Sequence, residues 1–281
     1  MMKLQTPVLC EPSPFRLSYA DRIMVLGSCF ADEIGQRLVD YGFQATFNPF
    51  GTLYNPVSIS NAVARLASRM PFTTDDVVEM GAGAGKVCSF SHHTSFARTD
   101  PPSFLENANA RLAEAAEVWK EADRVLITLG TAWAFRWKET GETVANCLKR
   151  PAAEFTRYRL TVPQVSTLLS GLTARYPDKQ FLFTVSPIRH LADGAHGNQL
   201  SKSTLLLGIE QTGALYFPAF EIVMDELRDY RFYAEDMVHP SRQTAGYLWE
   251  RFIDWALPEE ERPRYEAAVK AFRQSQHRPL A

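Results

Sequence analysis

Two short strings carry the residue types from which a nucleophilic site is built. Gly27-Ser28-Cys29 follows directly on the apolar run 22–26 and precedes a segment in which Ile34, Leu38 and Tyr41 recur at helical spacing. A glycine permits a tight turn there, Ser28 is suited to capping the helix, and Cys29 presents a thiol at the helix N-terminus. The positive end of a helix favours an anion, so the thiol is expected to have a depressed pKa. The plainer reading is a helix cap followed by a buried cysteine. Asp236-Met237-Val238-His239-Pro240 is the second string. A carboxylate three residues before a histidine can hold its Nδ1 and leave Nε2 for a nucleophile, although a solvated loop accounts for such a pair equally well.

The elements that position these strings follow a strand–glycine–helix grammar. Strands are predicted over 22–26, 44–47, 124–129, 181–185 and 214–217, and helices over 31–41, 58–69, 104–122, 163–176, 199–211 and 244–256. Glu139-Thr140-Gly141-Glu142 separates two further strand-like segments, which suggests a decorating hairpin. Residues 71–102 are less regular and read as a long functional loop. Alternating strands and helices imply an α/β domain with three α/β/α layers and a mainly parallel, flavodoxin-like sheet. Its span is 21–257, after an N-terminal segment 1–20 and before a charged, peripheral tail 258–281. Ligands of such sheets bind at the carboxyl ends of the strands, so the residues after Leu26, Leu129 and Val185 are expected to share one cleft. Arg189 and His190, which follow the last of these, are candidates for contacting an anionic substrate group.

Other patterns carry less. Cys88, His92 and His93 do not make a zinc set, because adjacent histidines rarely ligate one ion and no fourth ligand stands near, so no metal or other cofactor is expected. His93 is read instead as lining the cleft. Gly81-Ala82-Gly83-Ala84-Gly85-Lys86 lacks the spacing of a phosphate loop and reads as a turn. Trp133, Phe135 and Trp137 alternate along one strand and read as a packed face. With 30 basic against 32 acidic residues the formal charge is −2, so no overall field would draw the chain to nucleic acid or an anionic membrane. No apolar run reaches membrane-spanning length and residues 1–15 lack the pattern of a signal peptide. Four separated cysteines fit reduced thiols, so a cytoplasmic setting is expected. Oligomeric state is not legible.

The string GSCFA at 27–31 resembles the signature of the GSCFA family, and that family is similar to the SGNH (GDSL-like) hydrolases. Further stretches resembling the family are NPFGTLYNP at 48–56, TLGTAW at 128–133, ANC at 145–147, SPIRH at 186–190, NQLSK at 198–202 and YFPAFE at 216–221. The resemblance implies an ester or thioester hydrolase, an esterase or acylhydrolase working through an acyl-enzyme, with acyl transfer as a variant and a small-molecule or carbohydrate ester as substrate. It places Cys29 in the nucleophile's position, while a one-residue shift of the turn would bring Ser28 forward instead. It gives Gly51 an oxyanion-hole N–H, and Asp236 and His239 the remaining triad places. Where the superfamily has Gly-x-Asn this chain has Gly130-Thr131-Ala132, so the asparagine donor is missing, and Thr131 and Asn146 are the candidate substitutes. Leu148 stands where the family is expected to have histidine. The rival reading is a ligand-binding module of the same fold without turnover.

Overall fold

The computed structural model describes residues 5–276. Five parallel strands form its central sheet: β1 (Arg22–Gly27), β2 (Gln44–Phe47), β5 (Arg124–Leu129), β9 (Gln180–Val185) and β10 (Leu215–Tyr216), in the order β10-β9-β5-β1-β2. Counted among the core strands alone this is the doubly wound order 2-1-3-4-5, whose switch point lies between β1 and β5. Gly27 pairs with Thr128 there, and Thr128 pairs with Thr184 of β9, so three strands end side by side.

Strand alternation divides the core into two layers. Met24 and Leu26 of β1, Val125, Ile127 and Leu129 of β5, and Phe181, Phe183 and Val185 of β9 face one side. They pack against α2 (Pro56–Ser68), α3 (Pro101–Glu121), α4 (Val162–Arg175) and α5 (Gly194–Glu210). Ile23, Val25, Leu126 and Leu182 face the other side. There they meet α1 (Cys29–Asp40), the short α6 (Ala219–Glu221) with the π-helical turn Ile222–Leu227 that continues it, and α7 (Arg242–Ala256). Both faces are thus covered, which is why these strands read as continuous apolar runs. The fold is three-layered α/β/α, as expected from the sequence.

Helix starts follow from local chemistry. Asn55 caps α2, Asp100 caps α3, Thr161 and Gln164 form a capping box at α4, and Ser241 caps α7. Prolines in the first turns of α2, α3 and α4 lose no hydrogen bond there. For α3 this moves the start three residues ahead of the sequence expectation.

Outside the sheet, β3 (Val78–Glu79) and β4 (Val87–Cys88) make a small antiparallel pair within the irregular stretch 71–102. The decorating hairpin is β6 (Trp133–Trp137) with β7 (Thr143–Val144), and β8 (Phe155–Arg159) joins it as a third strand. β8 escapes the sequence reading because FTRYR carries three polar residues in five. Its Arg157 guanidinium instead lies 4.2 Å from the Trp133 ring and 5.7 Å from that of Phe135, so the alternating aromatics of β6 pack against cations. Within the segment 258–281, residues Arg262–Gln276 form α8, whose Tyr265 hydroxyl accepts a hydrogen bond from Trp249 Nε1 at 2.7 Å. Residues 277–281 lie outside the described part. Among the described residues no helix is long and apolar enough to cross a membrane.

His92 is fully buried between the rings of Phe50, Phe72, Phe96 and Phe104, with Nδ1 2.6 Å from Ser89 Oγ. Burial, assisted by the nearby Arg65 charge, pulls its pKa down to about 3. The folded state resists protonating this ring while the unfolded chain takes the proton near pH 6.5, so stability is lost as pH falls from 6.5 towards 3. In urea titrations, wild type is expected to lose about 1.4 kcal/mol per pH unit more than His92→Phe across this window. Parallel slopes would contradict a buried neutral imidazole.

Candidate active site

The turn after β1 is set by Gly27. Its φ is +139°, and a Cβ there would stand 2.1 Å from the Thr128 carbonyl oxygen, so only glycine fits this approach. Asn48 fixes the same turn from the other flank. Its Oδ1 accepts the Gly27 N–H at 2.8 Å, its Nδ2 donates to Asp32 Oδ1 at 2.6 Å, and its own backbone is left-handed at φ 41°.

Ser28 and Cys29 then take different roles. Ser28 is 1% exposed, and its hydroxyl accepts the Phe30 N–H at 3.3 Å and lies 3.1 Å from Thr128 Oγ1. It is an inward-facing cap. Cys29 opens α1, half-buried, and the Tyr54 hydroxyl lies 3.6 Å from its Sγ. The Cys29 N–H, first of the helix, donates to no other residue among the described ones, and its own thiol is the group it acts on. The depressed thiol pKa expected from the helix terminus is not found. Burial pushes the Cys29 thiol up, the Tyr54 hydrogen bond opposes this in part, and the Asp32 carboxylate adds to the rise. Desolvation outweighs the helix end, and among the described residues no cation acts on the sulfur to oppose it.

Tyr54, not singled out in the sequence, joins the two halves of this edge. Its hydroxyl lies 3.1 Å from Thr52 Oγ1 and burial pushes its pKa up to about 12, so it remains a protonated donor. Its carbonyl accepts both the Gly130 N–H at 2.8 Å and the Thr131 N–H at 2.9 Å. The signal for it was the string at 48–56, which holds both Asn48 and Tyr54.

Several expected donors are engaged elsewhere. The Gly51 N–H, assigned to an oxyanion hole, donates to the Asn48 carbonyl at 2.8 Å and closes a turn. Gly51 has φ +79°, and a Cβ on it would stand 2.4 Å from His93 Cβ, so its evident role is to let the two loops meet. His93 lies beside this turn, its Nδ1 3.0 Å from Ser95 Oγ, and burial raises the nearby Asp32 carboxyl, opposed in part by its hydrogen bond from Asn48. The Thr131 hydroxyl is 2.9 Å from Ser201 Oγ and also accepts the Trp133 N–H. Asn146 sits in the turn after β7 with its Oδ1 accepting the Leu148 N–H at 2.8 Å, and no hydrogen bond joins it to Cys29, Gly51 or Gly130 among the described residues.

The Asp236–His239 pair forms in an exposed loop. Asp236 Oδ2 accepts from His239 Nδ1 at 2.7 Å while Oδ1 accepts the N–H groups of Val238 and His239. These bonds, the His239 ring first, hold the Asp236 carboxyl down at about 2. Met237 at φ 57° gives the loop its sharp bend. The loop is seated on the end of β9: the Arg189 N–H donates to the Val238 carbonyl at 3.0 Å, and Arg189 Nη1 donates to the Met237 carbonyl at 2.8 Å. The guanidinium also lies 5.3 Å and 5.4 Å from the Tyr230 and Tyr233 rings, so Arg189 braces this loop. His190 turns inward, its Nε2 donating to the Gly130 carbonyl at 3.1 Å and its ring edge-on to Tyr54 at 6.3 Å. Burial, with Lys202 nearby, pulls its pKa down to about 4.

The ends of β1, β5 and β9 therefore gather Cys29, Tyr54, Gly130 and His190, with the Asp236–His239 pair on the adjoining loop. No hydrogen bond links His239 to Cys29 Sγ among the described residues. A cleft of about 1420 Å³ lies elsewhere, between α2, residues 75–79 and the β6–β7 hairpin. It includes Phe50 but neither Cys29 nor His239. Among the described residues no cluster of three or more His, Cys, Asp or Glu side chains could hold a metal ion.

Compared with known proteins, residues 22–252 match the model of the GSCFA family, a span from the start of β1 into α7 that contains every site residue above. A search of curated proteins finds no match.

Replacing Tyr54 by Phe removes the hydroxyl that lowers the Cys29 pKa. The midpoint of Cys29 alkylation against pH, followed by iodoacetamide labelling and peptide mass mapping, is expected to rise in Tyr54→Phe by about half a unit or more. An unchanged or lower midpoint would show that the hydroxyl does not serve the thiolate.

Proposed function

The chain belongs to the GSCFA family, and from this premise and the surroundings of Cys29 we propose that it is an SGNH-like hydrolase that cleaves an ester or thioester through a Cys29 acyl-enzyme. The observation that carries the reading is the placement of Cys29. Its half-buried sulfur starts α1 beside a first-turn N–H that no other described residue accepts and a protonated phenol, with a formed Asp–His pair on a loop at the same sheet edge.

In the proposed reaction His239 Nε2 takes the thiol proton while Asp236 holds Nδ1 and stabilises the imidazolium. Sγ attacks the carbonyl carbon and the carbonyl electrons move to oxygen. The Cys29 N–H and the Tyr54 hydroxyl are the donors available to that oxyanion, Tyr54 standing in for the missing asparagine. Collapse breaks the bond to the alcohol or thiol, which leaves with the proton from His239. Water, deprotonated by His239, then attacks the thioester carbon and releases the acid and Cys29. Another hydroxyl acceptor in place of water would make the reaction a transfer. Substrate binding is required to bring His239 to the sulfur, and catalytic hydrogen bonds often tighten only in the substrate complex. A raised thiol pKa suits this order of events, since the thiol stays protonated until a base reaches it.

The second reading, a binding module without turnover, is favoured by one observation: the N–H groups of Gly51, Gly130 and Thr131 all donate within the fold. An oxyanion deprived of one donor loses about 2.7–4 kcal/mol of stabilisation.

Turnover of a panel of small ester and thioester substrates separates the readings. Hydrolysis is expected in wild type, reduced roughly 10²–10⁴-fold in both Cys29→Ala and His239→Ala. Ser28→Ala is expected mainly to lower thermal stability through loss of the helix cap. Saturable ligand binding with no turnover would favour the binding module, and turnover surviving in Cys29→Ala would exclude the cysteine mechanism.

A further inference from the structure

Lys202 is fully buried, an unusual place for an ammonium group. It lies on α5 one turn from Asn198 and next to Ser201, so the three residues form one face of the helix. That face meets the carboxyl ends of β5 and β9. Asn198 Oδ1 accepts the His190 N–H at 3.0 Å, and Ser201 Oγ accepts the Ala132 N–H at 2.8 Å. Lys202 Nζ donates to the Gly130 carbonyl at 2.6 Å and to the Ser186 carbonyl at 2.7 Å, the first carbonyls beyond the two strands. The mechanism above uses none of these groups.

The Gly130 carbonyl belongs to the peptide whose N–H is that of Thr131. A hydrogen-bonded chain therefore runs from Lys202 Nζ through this peptide to the Tyr54 carbonyl, and the Tyr54 hydroxyl at the far end of the same residue lies against Cys29 Sγ. Hydrogen bonds in such a chain polarise and strengthen one another. The same Gly130 oxygen accepts from His190 Nε2, which fixes that nitrogen as the protonated one. Burial pulls the Lys202 pKa down to about 7, and Asp193, itself ion-paired with Arg157 of β8, opposes this in part. The Phe220 ring lies 5.9 Å away.

We propose that Lys202 is a positioning residue of the Cys29 site: through the Gly130–Thr131 peptide the hydrogen bonds of its Nζ group hold Tyr54 against the sulfur and His190 in a single tautomer. A buried lysine serving stability alone would be poorly chosen, since a hydrophobic side chain of the same length avoids its desolvation cost. What methionine cannot do is tie two strand ends to each other through their last carbonyls. The assignment deepens the acyl-transfer reading and concerns the same site. Its test reads the thiol's titration rather than turnover, so either can fail while the other stands.

The experiment is peptide-resolved iodoacetamide labelling of Cys29 against pH in wild type, Lys202→Met, Tyr54→Phe and the double variant, with Arg251→Met as control. Arg251 pairs with the buried Glu226 on the opposite face of the sheet, so its loss lowers stability without touching the chain from Lys202. Lys202→Met is expected to raise the Cys29 midpoint by about half a unit or more, and the double variant to match Tyr54→Phe alone, because both act through one contact. Arg251→Met is expected to lower the melting temperature with no shift. An unchanged midpoint in Lys202→Met, or shifts that simply add, would overturn the assignment. If Lys202→Met does not fold, hydrogen exchange of wild type decides. The Thr131 amide is expected to exchange only through global unfolding, and its exchange through local opening would overturn the proposal.

Discussion

The site depends on the contact between Gly27 and Thr128. Two parallel strands reach the switch point of the sheet so close together that a single methyl group on residue 27 would overlap the Thr128 carbonyl oxygen. The chain must therefore turn there in a conformation open only to glycine, and the next residue must cap whatever follows. Ser28 does so with its hydroxyl turned inward, leaving Cys29 as the first side chain of α1 at the open edge. The position of the thiol is thus a consequence of strand pairing two residues earlier. Asn48 reinforces it by spending both ends of its side chain on the turn and on Asp32.

From that edge outward the polar groups form two tiers. The lower tier is backbone held by buried side chains: Lys202, Ser201 and Asn198 on one helix face satisfy carbonyl and N–H groups of strands β5 and β9 at their ends. The upper tier holds the groups of the candidate site, Cys29 against Tyr54 and the Asp236–His239 loop braced by Arg189. The tiers meet at Gly130, whose carbonyl and N–H are both committed. Such commitment explains why the glycine positions that resemble oxyanion donors cannot act as donors here.

How much of this the sequence discloses depends on whether a residue's role is local. Apolar runs ending in glycine at 22–27 and 124–130 reveal the parallel sheet, and capping residues reveal the helices, because both rest on neighbours along the chain. The Asp236–His239 bond is legible for the same reason, being closed within four residues. Tyr54 and Lys202 act across separations of 25 and 72 residues, and neither carries a pattern that marks it except inclusion in strings resembling the family. β8 was missed because cation–aromatic packing replaces the apolar alternation that identifies strands, and α8 because its charged sequence has no buried residue. The thiol's raised pKa was missed for a different reason: helix position can be read from sequence, whereas the depth of burial opposing it cannot.

The central claim is that Cys29 forms a covalent acyl intermediate. Its most direct test is intact-mass spectrometry of the protein quenched in acid during reaction with a slowly deacylating thioester, followed by peptide mapping. The account predicts a mass increase of one acyl group, localised to residue 29 and absent from Cys29→Ala. An adduct on Ser28, or ester cleavage at full rate with no adduct on residue 29 under conditions that trap acyl-enzymes, would contradict it.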